Sequence, residues 1–335
     1  MAKRPTLADV AAEAGVSRAL VSIVMRHAPG ASDATRERVL AAAARLGYRP
    51  DARARLLRSS RSHLLGVVFA LDGAFHAEIV EALYPAAAKA GFDITLSARG
   101  PRRSEEEAIR SLLDLNAEAI IVLAPESDDM ELVELAAPAV SVLQPQYRPR
   151  LASVATDEAA GIGLAVEHLR RLGHRHIAHV DGGSAVGSDA RAGAFDRLMN
   201  EAGETPAFLR GGSTETDGMT AAGLIATLVK TPPFGHPPLT AVVAFNDALA
   251  VGLMHGLREG GIRIPEDLSV VGYDDSRLAA LAHVQLTSVR QDPDALAAAA
   301  VGAAAEALDG RHTHALVAPS LTVRSSTAPP PAVAR

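Results

Sequence analysis

Short apolar runs recur through most of the chain: LLGVVFA (64–70), FDITLS (92–97), AIIVLA (119–124), AVSVL (139–143), LASVA (151–155), HIAHV (176–180), TAVVAF (240–245) and LSVVGY (268–273). They are nearly continuous in apolar residues instead of alternating, and the stretches between them have helical spacing. Strands that bury both faces read this way, so the pattern predicts an α/β body of parallel strands covered by helices on both sides. Its length predicts two such sheets. Polar residues collect at the carboxyl ends of the runs, namely Asp72, Asp157, Asp181, Asn246, Asp274 and Asp275. In open parallel sheets those ends are where ligands bind.

The first sixty residues follow another rhythm. LADVAAEAGVSRALVSIVMR (7–26) predicts two short helices and a tight turn: Ala11 is small where the helices cross, Gly15 permits the turn, and Val21 anchors the second helix. Ser17 stands at the N-cap of that second helix, and Val16 and Val21 read as core. The arrangement is a helix-turn-helix whose second helix is the candidate major-groove reader. HAPGAS (27–32) is a loop, and Ser32 or Asp33 caps a third helix, TRERVLAAAARLG (35–47), ended by Gly47. In YRPDARARLLRSS (48–60), Pro50 and Asp51 start a short helix that carries Arg53, Arg55 and Arg58 with Leu56 and Leu57 among the charges. The Pro-rich tail STAPPPAVAR (326–335) predicts disorder and has no leucine heptads for a coiled coil.

Charge changes this picture more than composition does. The net charge of −6 divides unevenly, with 12 Lys+Arg against 5 Asp+Glu in residues 1–61 and 21 against 34 in residues 62–335. Only the amino-terminal piece suits a polyanion. The absence of cysteine excludes disulfides, thiolate metal sites and cysteine nucleophiles. No run of about 18 apolar residues occurs, and no apolar segment follows the charged start, so no membrane partner is expected and the cytoplasm is the expected location.

Enzyme signatures are weak. GIGLAV (161–166) begins like a dinucleotide fingerprint but lies in a helical pattern, where close helix packing is the better reading. DGGSAVG (181–187) has Val186 where a nucleophile elbow needs Gly. His174, His176 and His179 point in different directions along a turn and a strand, and the acidic runs SEEEA (104–108) and ESDDME (126–131) read as solvated surface. No catalytic set emerges, and nothing calls for a cofactor or a metal.

The stretches TLADVAAEAGVS, GYRPDARARLL, EHLRRLGHRHIAHVDG, VVAFNDALAVGLMHGLREGGIRIPEDLSVVGYDD and LTSVRQD resemble, in this order, the lactose-repressor (LacI/GalR) family of transcriptional regulators over essentially the whole chain. The resemblance implies a helix-turn-helix headpiece (1–49), a hinge helix (50–61), and a two-lobed effector-binding and dimerisation domain (62–328) of the periplasmic-binding-protein-like type. Lobe one is expected at about 62–158 plus 292–318, lobe two at about 159–291 plus 319–328, and a disordered tail at 329–335. It implies a homodimer on double-stranded operator DNA. Thr6, Ser17, Arg18, Ala19, Ser22, Ile23, Arg26, Arg55 and Leu57 are the DNA-binding residues it points to, with Arg18 suited to guanine, Ile23 to a thymine methyl, and Leu57 to a minor-groove wedge. Ser17, Ser22 and Arg26 also fit contacts to phosphate alone. For a small-molecule effector it points to Phe75, His76, Arg191, Asn246, Asp274 and Gln291, with Arg191 and Asp274 foremost. Arg, Asn and Asp together suit hydroxyls, as of a sugar or related polar metabolite, although Leu143 stands where an acidic residue is common and the chain has no tryptophan. Asp247 and Asp275 also fit helix caps, and Asn246 a partner for loop backbone.

The expectation is therefore a sequence-specific regulator, most simply a repressor, in which an effector between the lobes changes their angle and moves the hinge helices. The alternative is a two-lobed solute-binding protein without a transcriptional role. An α/β enzyme with a DNA-binding head is a further rival.

Overall fold

The structure, a computed structural model, describes residues 5–25, 29–48, 61–71, 73–126, 129–144, 149–233 and 237–331. Arg26, Arg55, Leu57, Asp72 and all but the last residue of the expected hinge segment 50–61 lie outside the described residues. The chain divides into two compact units, Met1–Ser62 and His63–Arg335.

The first unit holds α1 (Leu7–Ala14), α2 (Arg18–Met25) and α3 (Asp33–Leu46). Thr6 opens α1 through a capping box with Asp9, and Gly15, at φ 65°, ends it in the left-handed conformation that lets the chain reverse into α2. Ser17 Oγ accepts the Leu20 N–H at 3.2 Å, and Ser32 Oγ accepts the Thr35 N–H at 3.4 Å, so both predicted caps form. Ser32 is the N-cap of α3 and Asp33 its first residue, so the helix begins two residues before the predicted 35. Val10, Ala11, Ala14, Val21, Val24, Val39, Ala42 and Ala43 make the core. The Arg38 Nε–H, donated to the Ala14 carbonyl at 3.1 Å, ties α3 to the end of α1.

The second unit contains two six-stranded sheets. The first has the order β11-β5-β4-β3-β1-β2, all parallel, from β1 (Leu64–Ala70), β2 (Asp93–Arg99), β3 (Ala119–Leu123), β4 (Ala139–Val142), β5 (Ala152–Thr156) and β11 (His314–Val317). The second has the order β12-β10-β9-β8-β6-β7, from β6 (Ile177–Val180), β7 (Ala207–Leu209), β8 (Ala241–Ala244), β9 (Ser269–Asp274), β10 (Thr287–Arg290) and β12 (Ser320–Thr322). Only β12 runs antiparallel there, against β10. On the first sheet, α4 (Ala74–Ala90) and α11 (Pro293–Leu308) cover one face, while α5 (Glu105–Asp114) and the short α6 (Asp129–Val133) cover the other. On the second, α9 (Glu215–Lys230) and α10 (Asp247–Glu259) lie opposite α7 (Glu158–Leu172) and α8 (Ser188–Glu201). Strands β1, β3, β4, β5, β6, β8 and β9 are buried on both sides, which is why their sequences are continuously apolar.

Helices α9 and α10 cross in backbone contact. A Cβ on Gly252 would lie 1.9 Å from the Glu215 carbonyl oxygen, and one on Gly218 would lie 2.1 Å from that of Leu249. Gly161, within GIGLAV, likewise leaves room for Tyr273, whose hydroxyl would stand 2.2 Å from a Cβ there.

The chain passes between sheets three times: from β5 to α7 through Thr156–Glu158, from β10 to α11 through Gln291 and Asp292, and from β11 to β12. One sequence expectation is corrected at the carboxyl end. Ser326 is buried, takes the Thr287 N–H at 2.8 Å and donates to the Val270 carbonyl at 2.6 Å, and the Ala328 carbonyl accepts from His174 Nε2 at 2.8 Å. The start of STAPPPAVAR is thus fixed beside β9 and β10, because its polar atoms satisfy groups at their ends.

Candidate functional site

On the first unit, Ser17, Arg18 and Ala19 at the start of α2 are exposed, Ser22 and Ile23 half-buried, while Val21 and Val24 face the core. A helix presents two faces at this spacing, one packed and one open. Arg18 has no partner among the described residues, so its five donors face outward. Thr6 is exposed, yet its hydroxyl is engaged with Asp9. Ile23 reaches the Gly30 loop, with Cγ2 3.8 Å from a Cβ built there.

On the second unit, a cavity of about 540 Å³ opens at the carboxyl ends of both sheets. All six residues singled out for an effector, Phe75, His76, Arg191, Asn246, Asp274 and Gln291, line it. Three lining residues that are not glycine, Ala124, Leu143 and Asp274, have φ values of 47°, 71° and 107°. Such backbone costs on the order of 1–3 kcal/mol per residue and survives only where the surroundings fix it.

Arg191, from α8, is 5% exposed. It makes a two-pronged bridge to Glu158, Nε to Oε2 at 2.7 Å and Nη2 to Oε1 at 3.2 Å, and Nη1 donates to the Phe245 carbonyl at 2.6 Å. Its guanidinium lies 3.7 Å from the Tyr273 ring centre. Burial alone would drive the proton off Arg191, but the Glu158 carboxylate beside it outweighs burial and holds the charge. Asp274 Oδ1 accepts from Gln291 Nε2 at 2.7 Å, and Gln291 Oε1 accepts from the Thr156 hydroxyl at 2.5 Å, joining the end of β9 to two of the crossings between sheets. Burial pushes the Asp274 carboxyl up to about 7 against the opposing pull of Arg191 and the Gln291 hydrogen bond.

Asn246 caps α10, its Oδ1 accepting the Leu249 N–H at 2.8 Å, and its Nδ2 donates to the Ser213 carbonyl at 3.0 Å. It therefore serves the loop backbone while lining the cavity. The two aspartates read as possible caps do other work. Asp247 is fully buried, taking the Ser276 N–H and hydroxyl at 2.7 and 2.8 Å and the Ser288 hydroxyl at 2.6 Å, and burial raises its pKa well above the usual carboxylate range. Asp275 pairs with Arg324 at 2.6 Å and accepts the Thr322 hydroxyl at 2.8 Å.

The sequence reading missed Thr156, Glu158 and a cluster around Arg99. Glu158 follows Asp157 at a strand end, the very signal that selected Asp157. The acidic run SEEEA is not all solvated: Glu105 is buried because Arg99 and the Glu126 amide compensate its charge. Arg99 ends β2, two residues beyond the apolar run read from sequence, and Glu126 also pairs with it. The histidines are separately engaged, His174 with Thr240 at 3.0 Å and His179 with the Val243 carbonyl at 3.0 Å.

The chain matches two family profiles: bacterial regulatory proteins of the lacI family over residues 6–51, and the periplasmic binding protein-like domain over residues 166–327. It is 33% identical to the HTH-type transcriptional regulator MalR of Streptomyces coelicolor, over 97% of each chain. A LacI transcriptional regulator from a Rhodococcus species superposes with a TM-score of 0.76 at 42% identity, covering 80% of this chain and all of that one. The lac repressor dimer, bound to operator and the anti-inducer ONPF, gives 0.80 at 29% identity, over 97% of this chain and all of that one.

Proposed function

The chain belongs to the lacI family of bacterial regulatory proteins, and from that premise we propose how this DNA-binding transcriptional regulator is divided and controlled. Residues 1–49 are the headpiece, 50–61 the hinge helix, and 62–328 the effector-binding and dimerisation domain; the cytoplasm is where it works. As a homodimer it binds double-stranded operator DNA of two-fold symmetry, with half-sites about 10 base pairs apart or a simple multiple. Ser17, Arg18, Ala19, Ser22, Ile23 and Arg26 meet the major groove and its phosphates, Thr6 and Arg55 the backbone, and Leu57 the minor groove at the operator centre.

A small-molecule effector bearing hydroxyls, as a sugar does, occupies the cavity between the two sheets. The observation that carries this reading is the pairing of Arg191 with Asp274 on one wall. Three of the five Arg191 donors are committed to Glu158 and Phe245, and Asp274 has given only Oδ1 to Gln291, so two donors and an acceptor oxygen remain for a ligand. Phe75 supplies apolar contact, and His76, Asn246 and Gln291 fix orientation. A solute-binding protein without a transcriptional role would have no use for a lacI-type head at residues 6–51.

Selection of duplexes from a random pool by the purified protein, repeated with Leu57→Ala, tests the DNA side: a two-fold symmetric site weakened by the substitution is expected. On the effector side, Asp274→Ala is expected to abolish ligand control of operator binding. The effector assignment fails if that control is unchanged.

A further inference from the structure

Asp247, the first residue of α10, is buried and lines no part of the cavity, yet three donors converge on its carboxyl. The Ser276 N–H and hydroxyl donate to Oδ2 at 2.7 and 2.8 Å, and the Ser288 hydroxyl donates to Oδ1 at 2.6 Å. To meet Ser288 on β10 the carboxyl passes over β9 at Gly272, the cross-strand partner of Ser288. A Cβ on Gly272 would stand 2.3 Å from Oδ1, so the contact exists only because that position is glycine. A capping aspartate would accept the amides of its own helix. Here Asn246 does that, and Asp247 is turned to other elements.

What Asp247 grips is the turn that follows β9. Asp274 and Asp275 have φ values of 107° and 52°, a left-handed backbone that is strained for residues with a side chain and persists only where its surroundings fix it. Two consecutive amides of this turn are held from within the second sheet. Ser288 Oγ accepts the Asp275 N–H at 3.0 Å while giving its own proton to Asp247, and Asp247 accepts the Ser276 N–H itself. The next amide, that of Arg277, donates at 2.8 Å to Glu78 of α4, on the first sheet. All three holds follow directly on Asp274, whose carboxyl rests on Gln291 at 2.7 Å. The two aspartates also act on each other: burial, and then the charge of Asp274, raise the Asp247 pKa. Two buried acids so placed oppose each other and weaken the fold, which points to a use at the site.

Resting on the reading of Asp274 as an effector residue, we propose that Asp247 is its positioning residue. It touches no ligand. It holds the strained turn directly at Ser276 and through Ser288 at Asp275, and so keeps the Asp274 carboxyl on the cavity wall with Gln291 and Arg191. Without that hold the turn relaxes into ordinary backbone, which rotates residue 274 and takes its carboxyl off Gln291.

NMR of the full chain, free of ligand, tests this at two places: hydrogen exchange of the Asp275 and Ser276 amides, and titration of the Asp274 carboxyl, assigned by its disappearance in Asp274→Asn. In the native chain both amides are expected to be protected and the carboxyl to titrate at about 7. Ser288→Ala cuts the arm to Asp275 and leaves in place the charges that act on Asp274, those of Arg191, Glu158, Glu78 and Asp247. It is expected to speed exchange of the Asp275 amide by about ten-fold or more, with the β8–β9 amides unchanged. It is also expected to lower the Asp274 titration toward the usual carboxylate range, because burial is the larger influence on that group and the released carboxyl meets water. Asp247→Ala is expected to free both amides, and Asp247→Asn, which keeps an oxygen for the Ser276 N–H, to restore protection there. Should Asp247→Ala not fold, Ser288→Ala and Asp247→Asn decide between them. The proposal is overturned if either amide is unprotected in the native chain, if Asp274 titrates as native in Ser288→Ala, if exchange speeds equally throughout the second sheet, or if Asn protects Ser276 no better than Ala. No ligand enters these measurements, so the two readings fail separately: unchanged ligand control in Asp274→Ala overturns the effector assignment, and a native titration in Ser288→Ala overturns the positioning alone.

Discussion

His179 is fully buried between the two sides of the second sheet, stacked at 5.5 Å on Phe195, with Nδ1 donating to the Val243 carbonyl and Nε2 without a partner. Burial pulls its pKa from 6.5 down to about 4. A folded-state value below the unfolded one means that the unfolded chain takes up the proton first, so the contribution is complete above pH 6.5 and is lost as pH falls toward 4. The loss from this one group is about 3 kcal/mol, at 1.36 kcal/mol per unit. Urea unfolding at pH 7 and pH 4.5 is expected to show a smaller difference for His179→Phe than for the native chain. Asp274 has the opposite sign: raised to about 7 by burial, its carboxyl loses stabilisation as pH rises through that value. An effector hydroxyl donating to the carboxylate binds the ionised form, so effector affinity is expected to climb between pH 6 and pH 8 and then level off, and calorimetry checks this. Both aspartate and arginine were legible in the sequence, because a polar residue at the end of an apolar run or in a matching motif stands out. Arg99 did not, since its role depends on Glu105 and Glu126, which are distant in sequence and met only through the β2–α5 and β3–α6 connections.

At the scale of elements, the backbone contact between α9 and α10 rests on glycine. Gly252→Ala forces a methyl into the Glu215 backbone, which neither helix escapes without separating, and is expected to cost about 1–3 kcal/mol in chemical denaturation. Gly223, on the same α9 but with nothing within 4 Å of its would-be Cβ, is the control: Gly223→Ala is expected to stabilise by about 0.5–1 kcal/mol, through helix propensity alone. All eight strands read from continuous apolar runs form, within two residues of the expected limits at either end. The four short strands that were not read, β7, β10, β11 and β12, escape for physical reasons. Strands β7, β11 and β12 are only three or four residues long and partly exposed, too short for an apolar run, and β10, TSVR, pairs with β9 and β12 through a mostly polar sequence whose Thr287 and Ser288 hydroxyls are used in internal hydrogen bonds.

For the whole molecule the separation of charge decides which part meets DNA. Residues 1–61 carry 12 Lys+Arg against 5 Asp+Glu, and the remainder 21 against 34, so the body repels the polyanion that the head attracts. Operator affinity is accordingly expected to fall steeply with salt, log K dropping by about 0.9 per neutralised phosphate for each decade of salt. Arg18→Ala is expected to cost about 1–3 kcal/mol on the selected operator and little on unrelated duplex, the difference between reading a base and neutralising a phosphate. Control by the effector adds a condition that is independent of mechanism. If occupancy of the cavity changes operator affinity by some factor, occupancy of the operator changes effector affinity by the same factor, typically about 5–150-fold. Effector affinity measured by calorimetry with and without the selected operator is therefore expected to differ by the ratio that effector produces in operator binding, and the direction of the difference states whether the ligand releases DNA or holds it. Three chain crossings join the two sheets, and Thr156, Glu158 and Gln291 occupy two of them while binding Asp274 or Arg191 directly or through one another. Thr156→Val removes a hydroxyl that lines no part of the cavity, so it is expected to reduce the coupling factor more than the effector affinity itself; equal losses in both would place Thr156 in the binding wall and not in the connection.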